Sequence, residues 1–399
     1  VTALRPSWLS EPSVQRLLTA FAADGIEARF VGGCVRDALL GVATGDIDLA
    51  TPARPEAVMA ALAANKIKAL PTGLAHGTVT AVIAPRSFEI TTLRRDVETD
   101  GRHAVVAFDA GWAEDAERRD FTINAIFLAP DGTLYDPVGG RADLEARRVR
   151  FVGDATTRIA EDVLRVLRYY RFDARFGSGD GDAAARAACR DAVGKLPTLS
   201  AERVSRELMR LLTSPDPTRA LTMMRADGVL TAILPEATRI DRLKAASPLS
   251  DDPSLRLAAL IEVGKPGAIA LAERLRLSNA ERKRLAGLAA PWPLDPAGDA
   301  KALRMALYRL DRERYRDLAL LLAADGRLEP ARLKELLALA KIWPIPKFPL
   351  TGDDVTAFGI APGPRVGRLL GAVKRWWEEG DFAADRAACL AKLTALARP

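Results

Sequence analysis

Histidine is almost missing from this chain: His76 and His103 are the only two in 399 residues. A metal phosphohydrolase domain built on histidine clusters is therefore excluded. Cysteine is nearly as scarce. Cys34, Cys189 and Cys389 are scattered, with no CxxC spacing, so neither a disulfide framework nor a zinc site is expected. No apolar run is long enough to cross a bilayer, and no signal-peptide pattern opens the sequence, which reads as cytoplasmic. A repeat of fixed period is also lacking. The remaining composition is ordinary for a globular chain, 49% hydrophobic and 28% charged, and 399 residues suggest two or three domains. The net charge of +6 is compatible with a polyanionic partner without specifying one.

The most informative stretch is residues 30–50, FVGGCVRDALLGVATGDIDLA. It reads as a short strand, a Gly32-Gly33 turn into a helix of about seven residues, and a returning strand that carries Asp46 and Asp48. A spacing of two places both aspartates on one face, with Ile47 and Leu49 turned into a core. Two adjacent carboxylates raise each other's pKa unless a cation sits between them. Their hard oxygens suit Mg2+, above all when substrate phosphates complete the shell. The glycines allow a backbone to approach phosphate, and the following helix points its N-terminus at the same place. Arg36, on the first turn of that helix, can add a cation.

Further along, residues 78–83 and 88–93 alternate in polarity and read as a hairpin through Pro85-Arg86-Ser87. Glu89 becomes a third carboxylate if its strand lies beside that of Asp48; otherwise it is a glutamate on a solvated face. Residues 94–112 are polar and glycine-containing and read as a long functional loop. Arg118-Arg119-Asp120-Phe121-Thr122-Ile123-Asn124-Ala125 offers two cations, an acid and an amide ahead of an apolar element, and Asp136-Pro137-Val138-Gly139-Gly140 reads as a turn. From Asp154 onward the pattern is helical. Residues 159–176 read as one helix with Val163, Val166, Leu167 and Tyr170 on the core side. Arg165, Arg168 and Arg171 lie along the other side, and Asp162 sits one turn before Arg165. Proline-rich stretches at 291–296 and 343–349 read as seams. The tail, from Leu350, carries a Gly-Pro-rich turn at 359–364 that opens a helix, and then Trp376 and Trp377, which read as packing more readily than as a stacking patch.

The strings GGCVRDALLG, GDIDLA, RRDFTINA and Glu161-Asp162-x-x-Arg165, in this order, resemble the nucleotidyltransferase superfamily that includes DNA polymerase beta. Within it they resemble the class II branch shared by bacterial CCA-adding enzymes and bacterial poly(A) polymerases. The resemblance implies an α+β fold: a small mixed-sheet, polymerase-beta-like catalytic head of five strands over 1–150, then an all-helical remainder. That remainder divides into a nucleotide-selecting neck over 151–199, a body over 200–345 and a tRNA-binding tail over 346–399. It implies Asp46 and Asp48 as ligands of Mg2+, with Glu89 as a third catalytic carboxylate. It also implies Gly33, Arg36, Arg119, Asp120, Asn124, Arg168 and Arg171 around the nucleotide, and Asp162 and Arg165 as readers of its base.

Chemistry supports a base-reading role for one acid and one arginine. Cytosine and adenine each offer an amino donor beside a ring-nitrogen acceptor, which a carboxylate and a guanidinium complement; uracil and guanine present the reverse pattern. Leaving a buried polar group unpaired costs ~1–3 kcal/mol, enough for strong rejection. The implied activity is template-independent addition of the 3′-terminal CCA to tRNA from CTP and ATP. A poly(A) polymerase or a partial CC- or A-adding enzyme shares the head motifs, although the chain has Ser87-Phe88-Glu89-Ile90 where bacterial poly(A) polymerases have a Gly-Arg-Arg-Phe string. A non-catalytic RNA-binding protein is the reading from another class.

Overall fold

The computed structural model describes residues 3–74, 77–99, 104–108, 110–290 and 294–397; both histidines, part of the 94–112 stretch and part of the 291–296 stretch lie outside the described residues. The chain forms two compact units, Val1–Pro235 and Glu236–Pro399.

In the first unit, strands β1 (Arg29–Val31), β2 (Ile47–Thr51), β3 (Lys68–Gly73), β4 (Thr78–Ile83) and β5 (Arg86–Thr92) join β8 (Phe127–Leu128) and β9 (Leu134–Tyr135) in one mixed sheet. Its order is β3-β4-β5-β2-β1-β8-β9. The sheet has seven strands where the family resemblance implies five, because β8 and β9 are two-residue strands that add to the β1 edge. Only β2 and β5 run parallel; the other neighbours are antiparallel. The expected hairpin forms, with Ile83 opposite Arg86. The stretch read as a loop instead contains β6 (Arg95–Thr99) and β7 (Ala104–Ala107), paired as a separate two-stranded ribbon. The overall polarity of the stretch hides the short apolar run Ala104-Val105-Val106-Ala107 that forms β7.

Alternation decides which face is which. Along β4 and β5, Val79, Ala81, Ile83, Phe88 and Ile90 are buried while Glu89 points the other way. Helices α1 (Pro12–Ala23), α2 (Gly33–Leu39) and α3 (Pro55–Ala64) supply Leu17, Phe21, Val35 and Leu62 to the same apolar core as Phe30, Ile47 and Leu49. The opposite face carries a smaller cluster of Val31, Ala50, Leu93, Phe127 and Val152. The acidic residues lie on that second face.

Helices α4 (Trp112–Glu117), α5 (Gly140–Glu145), α6 (Ala155–Glu161), α7 (Arg165–Phe176), α8 (Ala183–Asp191) and α9 (Ala201–Leu212) follow. Asp154 caps α6 by accepting from the Thr157 amide at 2.8 Å. Phe121 packs on Phe151 and Phe172, at ring distances of 4.8 and 5.1 Å, and so ties the RRDFTINA segment to α7. Gly140 is forced by space: a Cβ there would stand 2.1 Å from the Thr122 carbonyl oxygen.

The second unit is helical among its described residues. Its caps are legible locally; Ser278 and Glu281, for instance, form a reciprocal capping box. Near its end Val355, Val373, Trp377, Cys389 and Leu393 close a core of their own. Trp377 is buried there and donates its indole N–H to the Ala384 carbonyl at 2.9 Å, as expected of a packing residue.

Candidate active site

β1 ends at Val31 and Gly32 turns the chain with φ +77°, a conformation that side-chain-bearing residues rarely adopt, so α2 starts directly at Gly33. β2 returns antiparallel to β1 with Asp48 opposite Val31, and β5 lies parallel on its other side with Glu89 in register with Asp48. Neighbouring strands are about 4.8 Å apart, so these two acids are adjacent on the sheet face. Asp46, just before β2, is exposed, whereas Asp48 is half-buried. The Asp48 carboxyl is pushed up to about 6 by burial, then by Glu89 and Asp46, with Arg119 opposing. The sheet thus brings together the three acids expected from sequence.

A divalent cation fits this donor set. All the oxygens are hard, and the like-charge crowding that raises Asp48 is what a cation would relieve. Among the described residues no three side chains of the metal-binding types form a cage by themselves.

Arg119 stands over the glycine turn: its Nη1 is 3.9 Å from where a Gly32 Cβ would lie. Its Nε and Nη2 donate to Asp115 Oδ2 at 3.1 and 2.9 Å. Burial works against ionisation of Asp115, yet Arg119 and Arg118 outweigh it and hold the carboxyl below its ordinary range. Arg36 is buried: it donates to Asp37 Oδ1 at 3.0 and 2.8 Å and to Asn124 Oδ1 at 2.6 Å, and its guanidinium lies 4.0 Å from the Phe176 ring centre. Asn124 in turn donates to Asp120 at 3.2 Å, and Asp120 Oδ2 accepts from Arg168 Nε at 2.8 Å. Glu207 of α9 accepts from Arg171 at 2.5 Å and lies 4.0 Å from Arg168. Five residues expected around the nucleotide are therefore joined into one chain of polar contacts, running from α2 through the RRDFTINA segment to α7 and α9.

The reading of 159–176 as one helix is corrected. α6 stops at Glu161, Asp162 is extended (φ −153°, ψ 107°), and α7 begins at Arg165. Asp162 Oδ1 accepts from the Leu164 amide at 3.1 Å, a local turn that competes with helix continuation. The side chains of Asp162 and Arg165 consequently do not pair, although the Arg165 amide donates to the Asp162 carbonyl at 3.0 Å. Asp162 Oδ2 accepts from Arg203 of α9 at 2.6 Å; Arg165 donates to the Arg158 carbonyl at 2.8 Å and to Glu161. Arg203, Glu207 and Asp115 hold site residues and were not foreseen. Arg203 lies 41 positions from its partner, and no local pattern signals such a pairing.

Between α2, α7 and the end of α9 lies an open cavity of about 510 Å³. Arg36, Arg171, Phe172, Arg175, Phe176 and Arg210 line it, together with residues 213–215.

Residues 28–150 match the poly A polymerase head domain family, and residues 182–240 match the probable RNA and SrmB-binding site of polymerase A. The chain is 34% identical over 405 residues to CCA tRNA nucleotidyltransferase 1, mitochondrial, of Mus musculus, which covers 95% of this chain and 91% of that protein. It is 32% identical to the CCA-adding enzyme of Lacticaseibacillus paracasei, over 90% of each chain. Among solved structures, the Bacillus stearothermophilus CCA-adding enzyme in complex with CTP superposes with a TM-score of 0.83 at 30% identity, covering 97% of this chain and 98% of that one.

Proposed function

We propose a mechanism for this chain from one premise: it belongs to the class II family of CCA-adding tRNA nucleotidyltransferases. It is a template-independent nucleotidyltransferase that builds or repairs the 3′-terminal CCA of tRNA from CTP and ATP. Family membership carries the use of a divalent metal with it; we take the metal to be Mg2+, held by Asp46 and Asp48. When bound there, the metal would neutralise charge on the triphosphate and on the tRNA 3′-oxygen. The 3′-oxygen forms a bond to the α-phosphorus and the bond to the pyrophosphate oxygen breaks.

The protein's own part is positioning. Asp48 and Glu89, in register across β2 and β5, fix the carboxylate edge against which the α-phosphate lies. The Gly32-Gly33 turn leaves room for phosphate oxygens, with Arg119 beside it, oriented by Asp115. Arg36, Arg168 and Arg171 supply cations, and Asp120 and Asn124 hold two of these in place. Asp162 and Arg165 read the base. In the free protein Arg203 and Glu161 occupy them, so an entering cytosine or adenine exchanges these contacts for its own amino group and ring nitrogen. We assign catalysis to the head (1–150), base choice to the neck (151–199), and tRNA contacts to the body (200–345) and tail (346–399). We place the protein in the cytoplasm, in keeping with three free, buried cysteines. No helix among the described residues is long and apolar enough to cross a membrane.

The observation that carries this reading is the convergence of Asp46, Asp48 and Glu89 on the face beside the glycine turn. The test is extension of a tRNA lacking its CCA end with each nucleotide alone and with CTP plus ATP, in Mg2+, against an oligo(A) control. Addition of C, C and A to tRNA and then a stop is the expected outcome. Unlimited A addition to both substrates would make it a poly(A) polymerase, and no addition with RNA affinity retained would make it a binding protein.

A further inference from the structure

The arginine-lined cavity holds more positive charge than the site described so far uses. Arg36 and Arg171 have acidic partners, Asp37 and Glu207. Arg175 and Arg210, at the exposed rim, have no carboxylate partner among the described residues. Arg210 leaves α9 one turn beyond Glu207, and Arg175 leaves α7 one turn beyond Arg171, so both point at the same opening. The inner end of the cavity is Arg36, whose Nη2 lies 3.6 Å from where a Gly33 Cβ would stand. The cavity therefore adjoins the turn where substrate phosphates approach, and none of Asp46, Asp48 and Glu89 lines it. Burial and the neighbouring Arg175 and Arg171 lower the pKa of Arg36, while Asp37 opposes them. Burial, Arg168 and Arg210 lower that of Arg171, while Glu207 opposes them. Such crowding of like charges is relieved by an anion. Residues 213–215 add Thr213 and Ser214 to the wall.

We propose that Arg175 and Arg210 complete a phosphate subsite that grips the β- and γ-phosphates of the incoming CTP or ATP and then holds the departing pyrophosphate. The proposal rests on the nucleotidyltransferase reading above and adds two positioning residues to it. The subsite touches only phosphates, so it serves both nucleotides equally and takes no part in base choice.

The test is steady-state kinetics of the full chain with Arg210→Gln and Arg175→Gln. ATP is added to a tRNA ending in CC, and CTP to a tRNA lacking CCA. Each substitution should raise KM for both nucleotides by the same factor, roughly tenfold, the loss of one charge-assisted hydrogen bond. Product inhibition by pyrophosphate should weaken in parallel, KM for tRNA should not change, and Arg210→Lys should restore part of the affinity. A raised KM for tRNA with unchanged nucleotide KM would overturn the proposal and make the cavity an RNA-backbone site. Unchanged KM values and unchanged pyrophosphate inhibition would overturn it as well. Failure of the underlying reading looks different: the unsubstituted chain would add neither C nor A.

Discussion

Asp48→Asn should abolish nucleotide addition and yet stabilise the free protein. The Asp48 carboxyl moves from an ordinary 3.8 to about 6, first through burial and then through Glu89 and Asp46. The folded state therefore binds the proton more tightly than the unfolded chain, and stability falls as pH rises from about 4 to about 6. Above that window the ionised carboxylate costs about 3 kcal/mol at 1.36 kcal/mol per pH unit. Because Asp48 is half-buried rather than sealed, screening reduces this to about 2 kcal/mol. Asparagine removes the charge and keeps the shape. In EDTA at pH 7.5, urea denaturation of the variant should show a midpoint higher by roughly 0.5–1 M, for an m-value near 3 kcal/mol/M. At pH 4 most of the gain should be gone, since the natural folded-state carboxyl is then protonated and the unfolded one is about half protonated. A variant less stable than the natural chain at pH 7.5, or a gain that does not change with pH, would refute the account of the carboxylate cluster.

Glu89→Gln should lower kcat by about two to three orders of magnitude while base choice is unchanged, a loss in the range found for a single positioned electrostatic group; the ratio of CTP to ATP incorporation checks the second part. Arg203→Gln removes the 2.6 Å competitor for Asp162, so kcat/KM for CTP and ATP should not fall while UTP misincorporation should rise about tenfold, measured by sequencing the added ends. Gly140→Ala places a Cβ 2.1 Å from the Thr122 carbonyl and should destabilise the protein by at least about 3 kcal/mol, read by thermal melting. The Cys34 thiol is buried and pushed up to about 12 by desolvation, so it should resist alkylation at pH 8 until the chain is unfolded, followed by mass spectrometry.

What could be read from the sequence was local in range. The Gly32 turn, the Asp46/Asp48 alternation and the β4–β5 hairpin are each decided by residues within a few positions of one another. Two-residue strands such as Phe127–Leu128 fall below any window in which periodicity can be seen, and so the sheet grew from five strands to seven. The break between α6 and α7 hid for a different reason. The apolar spacing continues across it, with Leu164, Val166, Leu167, Tyr169 and Tyr170 all buried, and neither glycine nor proline marks it. The signal was the side chain of Asp162, an acid able to accept from the amide two residues on, and a helical hydrophobic pattern outweighs such a signal unless the turn is sought.

The site's pairings escape a sequence reading for a deeper reason. Which residues carry charge is plain from the chain, but which charges meet is set by tertiary distance: Arg36 finds Asn124 from 88 positions away, and Arg168 finds Asp120 from 48. The free protein pairs groups proposed to handle substrate with internal partners, Arg165 with Glu161, Asp162 with Arg203 and Arg171 with Glu207. These internal partners keep buried charges from standing alone, which would cost more than the pairs themselves contribute. On the proposed reading they also set the terms of selection. A nucleotide that returns equal or better contacts can displace them, whereas one with the wrong donor pattern would trade a satisfied carboxylate and guanidinium for unsatisfied ones. If Asp162 reads the base as proposed, discrimination depends on α9 as much as on the Glu161-Asp162-x-x-Arg165 motif, because α9 supplies Arg203 as the competitor for Asp162.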